Sequence, residues 1–156
     1  MLYSPPDPAR ALDEVSPLTG LLYPSFEFAT ERASAIIAQE GLPPDPHGYS
    51  TIVRWHVKHQ LDAAGHEVAF DRDELALIGL SVTYAGNRYR IRKADEHGLL
   101  PPPGTSKRLQ QYYAQQLPLP FPARDKDQQD QPVRHNFVIL WHVRAGVLTE
   151  LSLVLP

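Results

Sequence analysis

Apolar positions are densest at the end of the chain. Asn136 to Val143 is apolar almost throughout, Arg144-Ala145-Gly146 interrupts it, and Val147 to Leu155 resumes with β-branched and apolar residues. The pattern predicts a β-hairpin over 136–155 whose first strand is apolar on both faces and is therefore covered on both sides. With Ala145-Gly146 as a two-residue turn, Val143 faces Leu148, Trp141 faces Glu150, Leu140 faces Leu151 and Val138 faces Leu153. Val138, Leu140, Leu151, Leu153 and Leu155 then share one face, and Phe137, Ile139, Trp141, Val143 and Leu148 the other. Trp141 and Leu140 are expected deep in the core, with His142 as a satisfied core histidine opposite Thr149.

Strict alternation marks a second hairpin over 80–93. Placing Gly86-Asn87 in a tight turn pairs Tyr84 with Tyr89 and Val82 with Ile91 on an apolar face. Arg88, Arg90 and Arg92 fall on the opposite face, where solvent is expected.

Helical spacing accounts for three further stretches. Phe26, Ala29, Ala33, Ile36 and Ile37 predict a helix over about 26–39, capped by Ser25 and stopped by Gly41. Val53, Val57, Leu61 and Ala64 predict a helix over 51–64, capped by Ser50, with Arg54, Trp55, Lys58, His59 and Asp62 facing outward. Leu109, Tyr112, Tyr113 and Leu117 predict a third over 105–116, capped by Thr105 or Ser106. Residues 1–24, punctuated by Pro5, Pro6, Pro8, Pro17 and Pro24, read as an extended arm strapped down by Leu18, Leu21, Leu22 and Tyr23. A short strand is expected at Glu67–Phe70, an extended strap at Pro118–Pro122 and a polar loop at 124–131. These elements imply an α+β fold: an antiparallel sheet built from the two hairpins, with three helices packed on it, forming a single domain over 25–156.

Composition narrows the function classes. One domain suits 156 residues. The absence of cysteine removes disulfides, thiolate metal sites and cysteine nucleophiles. The net charge of −3 excludes a global polycation while allowing a local basic patch. No window has the length of a transmembrane helix and the N-terminus lacks a secretory pattern, so a soluble, cytoplasmic protein without a membrane partner is expected.

Motifs for phosphate-cradling glycine loops, nucleophile elbows, zinc helices and calcium loops are missing from the sequence. His56 and His59, three apart, with His66 and Glu67 nearby, form the one metal-like grouping; ordinary surface and half-buried histidines account for them as well, and no cofactor is expected. The basic constellation is sharper. Arg88, Arg90 and Arg92 are spaced roughly 6.6–6.8 Å apart along a strand, close to the separation of successive phosphates, and Lys93 adjoins them. Arg54, Trp55 and Lys58 lie on the preceding helix. A helix ending Ala-Ala-Gly and followed by a basic hairpin resembles the recognition helix and wing of a winged helix-turn-helix, over 26–93. It departs from that pattern in the fifteen residues between helix and hairpin and in Pro43, Pro44 and Pro46 at the turn.

The expected function is a small binding or regulatory protein acting through a surface on a protein partner. Nucleic-acid binding through hairpin 86–93 and helix 51–64 stands second. A hydrolase-type enzyme using scattered histidines and carboxylates stands third. Val147–Leu155 carries one charge and no proline, so it is expected to be paired inside the sheet or used in a homodimer.

Overall fold

The computed structural model describes residues 4–43, 45–64, 71–72, 80–115 and 135–156. Its first element is a helix of 33 residues, α1 (Pro8–Glu40). The expected extended arm is therefore corrected: most of it is helix. Asp7 caps the start, its side chain accepting from the Arg10 N–H, and Pro8 sits where a missing N–H costs nothing. Pro17 and Pro24 lie inside the helix and both face solvent, as do Asp13 and Gly20, whose carbonyls lose their helical donors. Each internal proline costs about 3 kcal/mol. Val15, Leu18, Leu22 and Phe26 are buried on the opposite side, and at about 1.5–3 kcal/mol each they offset both. Ser25 is mid-helix, its hydroxyl donating to the Leu21 carbonyl instead of capping.

Gly41, at φ 61°, ends α1 in a left-handed cap, with the Gly41 and Leu42 N–H groups returned to the Ala38 and Ile37 carbonyls. The chain folds straight back into α2 (Pro46–Ala64), one turn longer at its start than the sequence pattern predicts. Asp45 starts it, its side chain accepting from the His47 N–H, while the Ser50 and Thr51 hydroxyls donate to carbonyls four residues back. Val53, Val57 and Leu61 are its buried stripe.

Among the described residues five strands follow: β1 (Asp71–Arg72), β2 (Leu80–Tyr84), β3 (Asn87–Lys93), β4 (Asn136–Arg144) and β5 (Val147–Val154), with helix α3 (Lys107–Tyr113) between β3 and β4. They form one sheet in sequence order. The α+β class stands, but the sheet is mixed. The two hairpins are antiparallel internally, whereas β3 and β4 are parallel, Arg88 lying against Asn136 and Lys93 against Trp141. A parallel pair needs a long crossover, and the stretch 94–135, carrying α3, supplies it. The expected purely antiparallel sheet missed this joint.

Both turns are Ala-Gly with φ positive at each residue: 49° and 80° at Ala85-Gly86, 49° and 77° at Ala145-Gly146. That is the twist a two-residue hairpin requires. In the first hairpin the turn sits one residue earlier than predicted, so Val82 pairs with Tyr89 and Leu80 with Ile91. The slip is two in register, so the assignment of faces survives. In the second hairpin a bulge at Thr149 shifts the register by one beyond Val143–Leu148; His142 then pairs with Glu150 and Trp141 with Leu151. Leu151, Leu153 and Leu155 thereby move to the Trp141 face, away from Val138 and Leu140.

The helical hairpin α1–α2 covers one face of the sheet, burying Tyr89, Ile139 and Trp141. On the other face Tyr112 of α3 packs with Ala94, Val138 and Leu140. Trp141 and Leu140, at 0% and 2% exposure, are core as expected. The expected helix over 105–116 shortens to α3 because Gln115 takes φ 58°; residue 116 lies outside the described residues, as do the expected elements at Glu67–Phe70, Pro118–Pro122 and 124–131. No described helix is long and apolar enough to cross a membrane.

Candidate functional site

The crossover places α3 on the arginine face of β3. The Tyr112 hydroxyl accepts from the Arg90 N–H and lies within bonding distance of the Arg88 and Phe137 carbonyls, so it bridges the parallel strands. The Arg90 guanidinium lies 5.4 Å from the centre of the Tyr112 ring. Arg92 donates to the Tyr113 hydroxyl and the Pro101 carbonyl. Arg88, Arg90 and Arg92 are therefore half-buried beneath a helix, where the sequence pattern puts solvent. The likeness to a wing does not extend to the structure, because this hairpin is built into the middle of a sheet.

At the carboxyl end of β3 these residues open into a cleft of about 470 Å³. Arg90 and Arg92 enter it from the α3 face, Ile91 and Lys93 from the face of the helical hairpin, and Trp141 from the paired position on β4. The first turns of α2 add His47, Ser50 and Arg54; the start of α3 adds Ser106, Arg108 and Leu109. Arg54, Arg90, Arg92, Lys93 and Arg108 are five of the fifteen basic residues of a net-negative chain. Among the described lining residues there is no aspartate or glutamate.

Among the described residues, Arg54, Arg90, Arg92 and Lys93 lie against neutral partners. Arg54 donates to the Ser50 carbonyl and the Thr51 hydroxyl. The Lys93 ammonium lies 5.7 Å from the centre of the Tyr49 ring and 5.8 Å from that of Trp141. Burial pushes the pKa values of Arg54, Arg90 and Lys93 below their ordinary values. At Arg90 burial is the first cause, with the Arg92 and Arg88 charges acting in the same direction against Tyr112 and Tyr113. The buried indole N–H of Trp141 has no hydrogen-bond acceptor among the described residues. The cleft is a concentration of desolvated positive charge with donors in excess.

Of the residues expected from sequence to bind, Arg54, Arg90, Arg92 and Lys93 meet in the cleft. Arg88 stays nearer the amino end of β3. Lys58 and Trp55 lie further along α2 and do not line the cleft, Trp55 being 59% exposed. His47, Arg108 and Trp141 join the site without a sequence signal: α2 begins before its predicted start at Thr51, and only the parallel β3–β4 pairing brings α3 and β4 to the cleft. His56 packs edge-on to Phe28 and His59 is exposed; His66 and Glu67 lie outside the described residues. Among the described residues no group of three histidines or carboxylates is placed to hold a metal. No family model, curated protein or solved structure matches the chain.

Proposed function

We propose that the protein binds a small organic phosphate in the cleft between α2, β3 and α3, and acts by binding it rather than by transforming it. The observation that carries this is the gathering of five cationic side chains, with no carboxylate among the described lining residues, into one concave site. A multiply charged anion would replace the water that burial has taken from Arg54, Arg90 and Lys93. Guanidinium forks match phosphate oxygens two at a time. Leu80, Ile91, Leu109 and Trp141 offer the apolar part of the ligand a wall, and the volume suits a molecule of about mononucleotide size. The position, outside the carboxyl ends of parallel strands joined through a helix, is where open α/β sheets hold ligands.

Polynucleotide binding by the same arginines is the weaker reading. Arg88, Arg90 and Arg92 are half-buried against α3 instead of lying along an open face, and such a row cannot follow a phosphate backbone. A catalytic role has less support still: His47 lines the cleft, but no described lining carboxylate accompanies it to orient it as a base. A protein partner has a separate surface at the edge of the sheet, on β5.

Thermal unfolding with a ligand panel tests the proposal. A nucleoside monophosphate or diphosphate at about 100 times its Kd should stabilise the protein by about 2.7 kcal/mol, and a neutral nucleoside should not. The combined substitution Arg54→Gln, Arg92→Gln should abolish the shift. Equal stabilisation by the neutral nucleoside, or no shift with any phosphate at millimolar concentration, would remove the proposal.

A further inference from the structure

Among the described residues, β5 forms an edge of the sheet, paired with β4 on one side and with no strand on the other. The opposite edge is the two-residue β1. Five residues, Glu150 to Val154, run in regular register beyond the Thr149 bulge; the bulge itself blunts the edge on the turn side. Along this segment α1 and β5 enclose a groove of about 540 Å³. It is lined by Leu151 and Leu153 and by Leu12 and Tyr23, which remain 57% and 39% exposed. Glu150 is the one charged residue among its described lining residues.

We infer that this edge pairs with β5 of a second copy of the chain, antiparallel about a two-fold axis through Ser152. Three features select that occupant. A groove that is apolar apart from Glu150 offers a strongly charged partner little complement, whereas the same largely apolar surface on a second copy matches it. A two-fold axis normal to the sheet keeps each residue on its own face, so only registers centred on a residue are allowed. Of these, centring on Ser152 uses the regular segment symmetrically: Leu151 meets Leu153 of the partner copy on the helix side, where Leu12 and Tyr23 extend the apolar strip. The same register sets Glu150 opposite Val154, leaving the two Glu150 Cα atoms about four residues, or roughly 14 Å, apart along the strands, beyond the reach of unscreened repulsion. Centring on Glu150 would put the two carboxylates face to face. Two five-stranded sheets would thus join into one of ten strands, and the phosphate cleft, which shares no lining residue with this groove, would be left open.

The chain has no cysteine, so an introduced one reports on register directly. Sedimentation of the wild type at tens of micromolar should give 35 kDa, twice 17.5 kDa. Under mild oxidation Ser152→Cys should cross-link quantitatively into a dimer, because opposed Cα atoms about 4.5–5.5 Å apart fall within disulfide reach. Glu150→Cys should not. Both variants should keep the wild-type circular dichroism and melting midpoint, and reduced Ser152→Cys should sediment as the wild type does. A 17.5 kDa species at those concentrations, or a dimer in which Glu150→Cys cross-links and Ser152→Cys does not, would overturn the inference.

Discussion

The hydroxyl of Tyr112 holds the parallel joint of the sheet, and replacing it with hydrogen isolates that role. Tyr112→Phe keeps a buried ring beneath the Arg90 guanidinium and removes one oxygen. That oxygen accepts from the Arg90 N–H at 3.0 Å and lies 2.5 Å from the Phe137 carbonyl and 3.0 Å from that of Arg88. Having one proton, it donates fully to one carbonyl, so the substitution removes that hydrogen bond and the one accepted from Arg90, beside the ladder that pairs β3 with β4. At about 0.5–1.5 kcal/mol net for each hydrogen bond removed, the loss should be about 1–3 kcal/mol. That is a large share of the 5–15 kcal/mol typical of a domain. Urea unfolding reads it: the midpoint should fall while the slope stays constant, since the surface exposed on unfolding is unchanged. Tyr113→Phe, whose hydroxyl serves the half-buried Arg92 side chain and the Pro101 carbonyl, should cost under about 1.5 kcal/mol. A loss below about 0.5 kcal/mol for Tyr112→Phe would mean that β3 and β4 close their ladder unaided, and the bridging role would be wrong.

Four further outcomes follow from the packing. Leu22→Ala should cost about 2–5 kcal/mol in chemical unfolding; a cost below about 1 kcal/mol would return residues 8–24 to the status of a strap. Pro17→Ala restores a donor to the Asp13 carbonyl on the exposed side of α1 and should raise Tm, the helical gain being at most about 3 kcal/mol; a lower Tm would contradict the continuous helix. Ala145→Asn, at a turn residue with φ 49°, should also raise Tm because asparagine tolerates the left-handed region better than alanine. For Lys93, burial holds the folded pKa below the ordinary 10.5, so between the two values the unfolded chain binds more protons and stability rises with pH. Lys93→Gln should remove that rise and also weaken phosphate binding; an unchanged alkaline slope would show that Lys93 is not desolvated.

Much of the fold is written in short-range pattern. The core strand 136–144, the alternation of 80–93, the stripe Val53–Val57–Leu61 and the Ser106 cap can each be read locally because period and capping are local properties. Helix α1 illustrates the opposite case. Proline density argues for an extended arm, yet Ala11, Val15, Leu18, Leu22, Phe26, Ala29 and Ala33 keep helical spacing straight across Pro17 and Pro24. Counting that stripe against the cost of two solvent-facing prolines would have given the helix. The bulge at Thr149 left no comparable trace, and it moved Leu151, Leu153 and Leu155 to the other face. For the cleft, the basic residues of β3 and Arg54 stand out in sequence. Their meeting with Arg108 and Trp141 depends on whether two hairpins join parallel or antiparallel. The helix within the 94–135 connection was the one available sign of a parallel crossover.

The chain contains two tryptophans, and they test the central claim against each other. Trp141 lines the cleft with a buried indole N–H that has no acceptor among the described residues, whereas Trp55 is exposed on α2 and outside the cleft. In a ¹H–¹⁵N correlation spectrum of the full chain, titration with a nucleoside diphosphate should move the Trp141 indole resonance saturably. The Trp55 resonance should stay in place, and the matching neutral nucleoside should move neither. A Trp141 resonance unmoved at millimolar phosphate, or one that follows the neutral nucleoside equally, would contradict a phosphate site in this cleft.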